Sequence, residues 1–202
     1  MLVALTGTPG VGKTTVSDLA GRLRPGARVV HLGDWLAEAG LLAERDPARG
    51  SFEVDTRRMR RAFRLAHADV PAGTTVLVES HLAHHLDVDA CLLLRVDPAT
   101  LHRRLSARGW SEAKVRENVE AEALDVLAAE VRDHFGGDAC DGPLAPDEKP
   151  WALELDATTM PPEAVAAAVW EAVDAGGRAS GEGFKWRAVG SVAWPLDALP
   201  WL

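Results

Sequence analysis

Only two cysteines, Cys91 and Cys140, occur in 202 residues. They are too few for a disulfide framework or a zinc-knuckle lid, so the expected setting is a reducing cytoplasm. No apolar run approaches the roughly 18 residues of a membrane span. The N-terminus carries no basic leader ahead of an apolar stretch, so no signal peptide is expected. A positive balance is also missing. Lys plus Arg is 22 against 30 Asp plus Glu, a net charge of −8. That argues against a broad nucleic-acid-binding surface, and no direct DNA binding is expected. Internal repeats are absent. With 47% apolar and 26% charged residues, the chain has the composition of a soluble globular domain with one full core.

Five short apolar runs read as buried strands: 2–6, 28–32, 75–79, 91–96 and 151–155. Helical spacing is expected between and after them, at about 13–23, 34–43, 56–69, 97–107, 111–135 and 161–175. Alternating strands and helices predict an α/β fold, a five-stranded parallel sheet in a three-layer α/β/α arrangement. Residues 176–183, GGRASGEG, have a linker composition and precede a tail with Trp186, Trp194 and Trp201. Those tryptophans either pack on the domain or present a partner site.

Residues 7–14 read GTPGVGKT, with three glycines and a proline in eight positions. The stretch matches the phosphate-binding P-loop at Gly7, Gly12, Lys13 and Thr14. It follows an apolar run and opens a helical pattern, as such a loop requires. Gly10, Val11, Gly12, Lys13, Thr14 and Thr15 are therefore the expected cradle for nucleotide phosphates. Lys13 would reach the β- and γ-phosphates, and the Thr14 hydroxyl would ligate Mg²⁺. Glu79 ends the third apolar run and could hold a metal-bound water; alternatively it is a polar residue leaving the sheet. His81 could orient an acceptor or an attacking water, or merely cap a loop. HLAHH at 81–85 has ligand-like spacing, but no further Cys/His cluster accompanies it. Arg104 and Arg108 share a helix face ahead of Gly109, which suits a small lid closing on phosphates. Arg103 points elsewhere. The competing reading pairs these arginines with Glu112 or Glu117 on a solvated surface.

Three segments carry a family resemblance: GTPGVGKTT at 7–15, VLVESHLAHHL at 76–86 and RLSARGWSEAKVRENVEAEALDVL at 104–127. They resemble the adenylate kinase isoenzyme 6 family, also called the coilin-interacting nuclear ATPase family. The pattern from Arg108 to Glu122, RG-aromatic-x-x-x-K-x-x-x-N-x-x-x-E, is its most discriminating part. HLGDWL at 31–36 and EVD at 53–55 resemble parts of the nucleoside-monophosphate segment, and Lys149 resembles a lysine near the adenine site. The resemblance runs from residue 2 to about 175, and the tail from Gly176 to Leu202 has no counterpart in it. Glu79 stands where many family members have Asp, which would alter its reach to metal-bound water. Ser80 replaces a small, glycine-like residue.

The resemblance implies an adenylate-kinase-like domain over 1–175, with a monophosphate arm at about 31–54 and a short lid at about 107–117. It implies ATP + AMP ⇌ 2 ADP with Mg²⁺, some ATPase activity, and a role in small-subunit rRNA maturation through a ribosomal protein. Lys13, Glu79, His81, Arg104 and Arg108 are the expected catalytic set, with Thr14 and, through water, Glu79 at the metal. Asp34 and Asp55 are expected to order loops or caps. A monomer is expected. The runner-up expectation is an ATP-hydrolysing assembly factor that binds a ribosomal protein. A kinase for another small acceptor also remains open.

Overall fold

The computed structural model describes residues 1–42, 52–135, 150–178, 185–195 and 201. Five strands, β1 (Leu2–Thr6), β2 (Arg28–His31), β3 (Val76–Glu79), β4 (Ala90–Arg95) and β5 (Trp151–Asp156), form one sheet in the order β2-β3-β1-β4-β5. Every pairing is parallel. The chain passes from β1 to one edge at β2, and later crosses to the other side of β1 at β4. The carboxyl end of β1 is therefore the point where the winding reverses, the usual crevice of an open α/β sheet. GTPGVGKT follows β1 directly.

Strand geometry sends alternate side chains to opposite faces. On β4, Ala90, Leu92 and Leu94 face one layer, and Cys91 and Leu93 face the other. The first layer contains α1 (Lys13–Leu23), α4 (Pro98–Ala107), α5 (Glu112–Ala123) and α7 (Pro162–Asp174). The second holds α2 (Leu32–Glu38), α3 (Thr56–Ala66) and α6 (Val126–Phe135). Four of the strands are too apolar to face water on either side and both faces are covered, while the edge strand β2, RVVH, is partly exposed. The three-layer α/β/α fold with a five-stranded parallel sheet is thus present. Among the described residues, no helix is long and apolar enough to cross a membrane.

Helix limits differ from the periodic expectation where local chemistry intervenes. α2 stops early because Gly40 adopts φ +64, while Leu41 N–H reaches the Leu36 carbonyl at 2.9 Å. That is a left-handed C-terminal stop. Asp55 caps α3, accepting from the amides of Arg57 and Arg58 at 3.0 Å each. Asp34 lies exposed in the first turn of α2. The expected single helix at 111–135 is two helices, α5 and α6. Asp125, the only non-glycine with positive φ among the described residues, breaks it at φ +56.

The described part of the tail packs on its own domain. Trp186 is 2% exposed, and its indole N–H donates to the Ala168 carbonyl at 2.8 Å. Arg187 bridges Glu154 of the edge strand β5 in antiparallel fashion. Val189 and Val192 are buried beyond it. Trp201 packs against the first layer's core. The linker composition at 179–183 lies outside the described residues, as does Cys140.

Trp186→Ala should lower the unfolding free energy by about 3–5 kcal/mol, the usual cost of emptying a buried aromatic site. Urea unfolding followed by circular dichroism measures this. A loss below about 1 kcal/mol would mean that the tail is not part of the cooperative unit.

Candidate active site

The P-loop conformation explains its glycines. Gly7 has φ +146, and a Cβ there would lie 2.5 Å from the Leu94 carbonyl oxygen, so strand packing excludes any side chain. Gly12 has φ +109 and is the residue from which α1 starts; conformation, not crowding, demands glycine there. The loop thereby presents the N-terminus of α1 to the crevice, where backbone N–H groups favour anions.

Lys13 lies beneath the loop, 7% exposed. Its ammonium donates to the carbonyls of Gly7 at 2.8 Å and Thr8 at 3.2 Å. Burial lowers its pKa from 10.5 to about 8, with Arg108 pushing the same way and Glu79 and Glu122 opposing. A buried ammonium resting on neutral carbonyls, with its carboxylates at a distance, is poised for a stronger anion.

A cleft of about 250 Å³ opens beside the loop. Gly10, Val11, Gly12 and Thr15 line one wall, with Arg104 and Arg108 across from them. Ala157, Met160, Pro162 and Val165 supply an apolar end. Arg104 donates to the Val11 carbonyl at 3.1 Å, which ties α4 to the loop. Burial and then the charges of Arg108 and Arg103 lower its pKa. Neither Arg104 nor Arg108 has a carboxylate partner among the described residues, so the expected alternative pairing with Glu112 or Glu117 does not occur. Arg103 faces out, bonded to Thr100 at 2.7 Å. Gly109, at φ +71, separates α4 from α5. Two cations therefore line one cleft, and Lys13 under the loop is near enough to feel the Arg108 charge. Such an arrangement repels itself unless an anion enters.

On the far side of Lys13, Thr14 Oγ1 lies 3.3 Å from Glu79 Oε2. The parallel register sets His31 of β2 opposite Glu79 of β3. His31 Nδ1 is 3.2 Å from the same Glu79 oxygen, and its Nε2 is 3.1 Å from Asp18 of α1. Burial alone would lower the His31 pKa, but Glu79 and Asp18 outweigh it and raise it above the ordinary histidine value. His31 is a site residue the motifs did not reveal, since it meets Glu79 only through strand pairing. The hydroxyl of Thr14 and the carboxylate of Glu79 form a hard oxygen pair that fits Mg²⁺. His81 follows in the turn after β3, with its surface open to solvent. Desolvation in the crevice and then the Lys13 charge hold its pKa well below the usual histidine value, so the ring is neutral near pH 7. Lys149 lies outside the described residues, as does the arm over 43–51.

A buried ion cluster supports the loop from behind. Arg95, at the end of β4, is 1% exposed. Its Nε–H donates to Glu122 Oε1 at 2.7 Å, and one Nη donates to Glu154 at 3.2 Å. The other Nη donates to the Glu122 carbonyl at 3.1 Å and to the Asp125 carboxylate. Glu122 also accepts from Thr8 in the loop and, at 3.2 Å, from the Val96 amide. The terminal Glu of the Arg108–Glu122 pattern thus holds the P-loop to the core. Arg95 and Glu154 were legible only as charged residues inside apolar runs.

A model described as an AAA domain matches residues 3–125. Named relatives match beyond that segment. A protein of Natronomonas pharaonis named "Putative adenylate kinase" is 40% identical over 183 residues, 91% of this chain and 95% of its own length. One of Halobacterium salinarum with the same name is 43% identical over 176 residues, covering 86% and 90%. The chain belongs to this adenylate kinase family of P-loop proteins. A third relative so named, from Thermococcus kodakarensis, aligns at 32% identity over 205 residues, all of this chain and 99% of its own. That alignment runs on over the tail.

Arg95→Met should cost about 3–5 kcal/mol in unfolding free energy, because Glu122 and Glu154 lose their buried countercharge. Denaturant titration near neutral pH measures it. A cost below about 1 kcal/mol would show that the carboxylates take up protons cheaply and that the cluster is not holding the loop.

Proposed function

We propose that the protein is a nucleoside-monophosphate kinase that transfers phosphate from ATP to AMP with Mg²⁺. The cleft that the P-loop shares with Arg104 and Arg108, with the Lys13 ammonium held on the loop's own carbonyls, carries this reading. Triphosphate oxygens would take the amides of Gly10, Val11, Gly12 and Thr15. The adenine would lie at the apolar end, by Met160 and Val165, with Lys149 near it. Lys13 would leave the loop carbonyls for the β- and γ-phosphates. Arg104 and Arg108 would neutralise charge that develops on the transferring group.

Thr14 would ligate Mg²⁺, and Glu79 would hold one of its waters. The ion supplies charge neutralisation between the phosphates. His31 would orient the Glu79 carboxylate through their 3.2 Å contact. Neutral His81 would accept a hydrogen bond on the acceptor side. AMP would enter between the arm at about 31–54 and the mouth of the sheet. The segment at about 107–117, hinged at Gly109, would act as the lid and exclude water, so that phosphate goes to AMP.

Purified protein with Mg²⁺ and ATP, with and without AMP, tests this. Two ADP per ATP consumed, only with AMP and lost in Lys13→Ala, is the expected result. Hydrolysis indifferent to AMP would replace the kinase reading with an ATP-driven assembly factor. An acidic chain then suits a basic small-subunit ribosomal protein as partner.

The Lys13 pKa adds a second expectation. Bound phosphate favours the charged lysine, so free protein must take up a proton above pH 8 to bind ATP. ATP affinity should be level below about pH 8 and fall by up to about tenfold per pH unit above it. Dissociation constants from about pH 7 to about pH 9.5 measure this. A flat profile overturns the coupling.

A further inference from the structure

The histidines of HLAHH lie mostly outside the cleft just described. Ala83–His85 form a single 3₁₀ turn that packs on α6. His84 is completely buried. Its Nδ1 lies 3.3 Å from the hydroxyl of Thr6, at the end of β1. Its Nε2 is buried and has no hydrogen-bond partner among the described residues. That nitrogen sits 3.3 Å from Glu130 Oε2, near in distance but misdirected for an N–H···O bond. A fully buried, unsatisfied ring nitrogen needs an explanation, because native proteins pair nearly all such atoms.

The neighbours supply one. His84, His85 and Glu130 each place a ligand atom within 4.8 Å of the others. His134 follows Glu130 by four residues on α6, so it shares that helix face, and its ring lies 6.1 Å from that of His85. Tetrahedral zinc with bonds of about 2.0–2.1 Å sets ligand atoms about 3.3–3.4 Å apart. The His84–Glu130 separation of 3.3 Å meets that spacing. The Thr6 contact at Nδ1 fixes the ring and leaves Nε2 as the ligand, the usual outer support of a metal-bound histidine. Glu130 and His134 are open to solvent, so an ion has a path in.

We propose that His84, His85 and Glu130 form a zinc site separate from the phosphate cleft, with His134 beside its open position. Two imidazoles and a carboxylate suit zinc and its spectroscopic substitute cobalt; they do not suit Mg²⁺ or Ca²⁺, which prefer oxygen. The ion would join the turn after β3 to α6. Through His84 and Thr6 it would also steady the strand that leads into the P-loop. This proposal does not depend on the kinase reading.

Chelator-treated full-length protein should be titrated with Co²⁺ in excess Mg²⁺, followed by visible absorption, and then with Zn²⁺. One equivalent of Co²⁺ should give tetrahedral bands that one equivalent of Zn²⁺ removes. His85→Ala and Glu130→Gln, both at accessible positions and checked for folding by circular dichroism, should each weaken binding at least about tenfold. Glu79→Gln should leave it unchanged. Absence of cobalt bands, retention of full affinity in either site variant, or loss in Glu79→Gln would overturn the proposal. The last result would move the ion to the phosphate cleft.

Discussion

A single buried guanidinium organises this molecule. Arg95 ends strand β4, the neighbour of the central β1, with three carboxylates around it. A lone charge in that interior would be prohibitively costly, so the chain must bring all the partners together or not fold. Each partner then has a second task. Glu122 holds Thr8 of the P-loop. Asp125 takes positive φ to reach the arginine, and the helical pattern splits there. Glu154 accepts from the Val192 amide of the tail. Phosphate loop, helix break and tail are therefore three consequences of one electrostatic requirement.

The same balance of charge separates the scaffold from the site. Behind the loop, one guanidinium meets three carboxylates within ion-pair distance. In front of it, Lys13, Arg104 and Arg108 have no matching carboxylate within ion-pair distance among the described residues. A protein with eight more acidic than basic groups nonetheless gathers Lys13, Arg104 and Arg108 around the P-loop, with Glu79 set apart at the end of β3 beside Thr14. Local charge, not net charge, decides what the crevice accepts.

What could be read from sequence was what is contiguous. A phosphate cradle is built from consecutive backbone amides, so residues 7–15 announce it. Arg104 and Arg108 were legible because helical spacing places them together. The strands were legible because sheet burial on both faces leaves apolar runs. Partnerships set by tertiary pairing were not. His31 reaches Glu79 only through the β2–β3 register. Thr8 reaches Glu122 across most of the domain. HLAHH looked unaccompanied because its partners Glu130 and His134 lie on a distant helix and one of them is a carboxylate. The run 111–135 read as one helix because periodicity carries no information about Asp125 bending toward Arg95.

The bridge between Arg187 and Glu154 also bears on biogenesis. β5 is an edge of the sheet, and its outer backbone would otherwise present free hydrogen-bonding groups to any passing strand. The residue that bridges it, Arg187, follows Glu154 by 33 positions in the chain. During synthesis β5 is therefore complete before its cover exists, and its flank stays open until residues near 186–192 have been made. In that interval an unpaired strand edge is open to misassociation, as transiently exposed edges are in general.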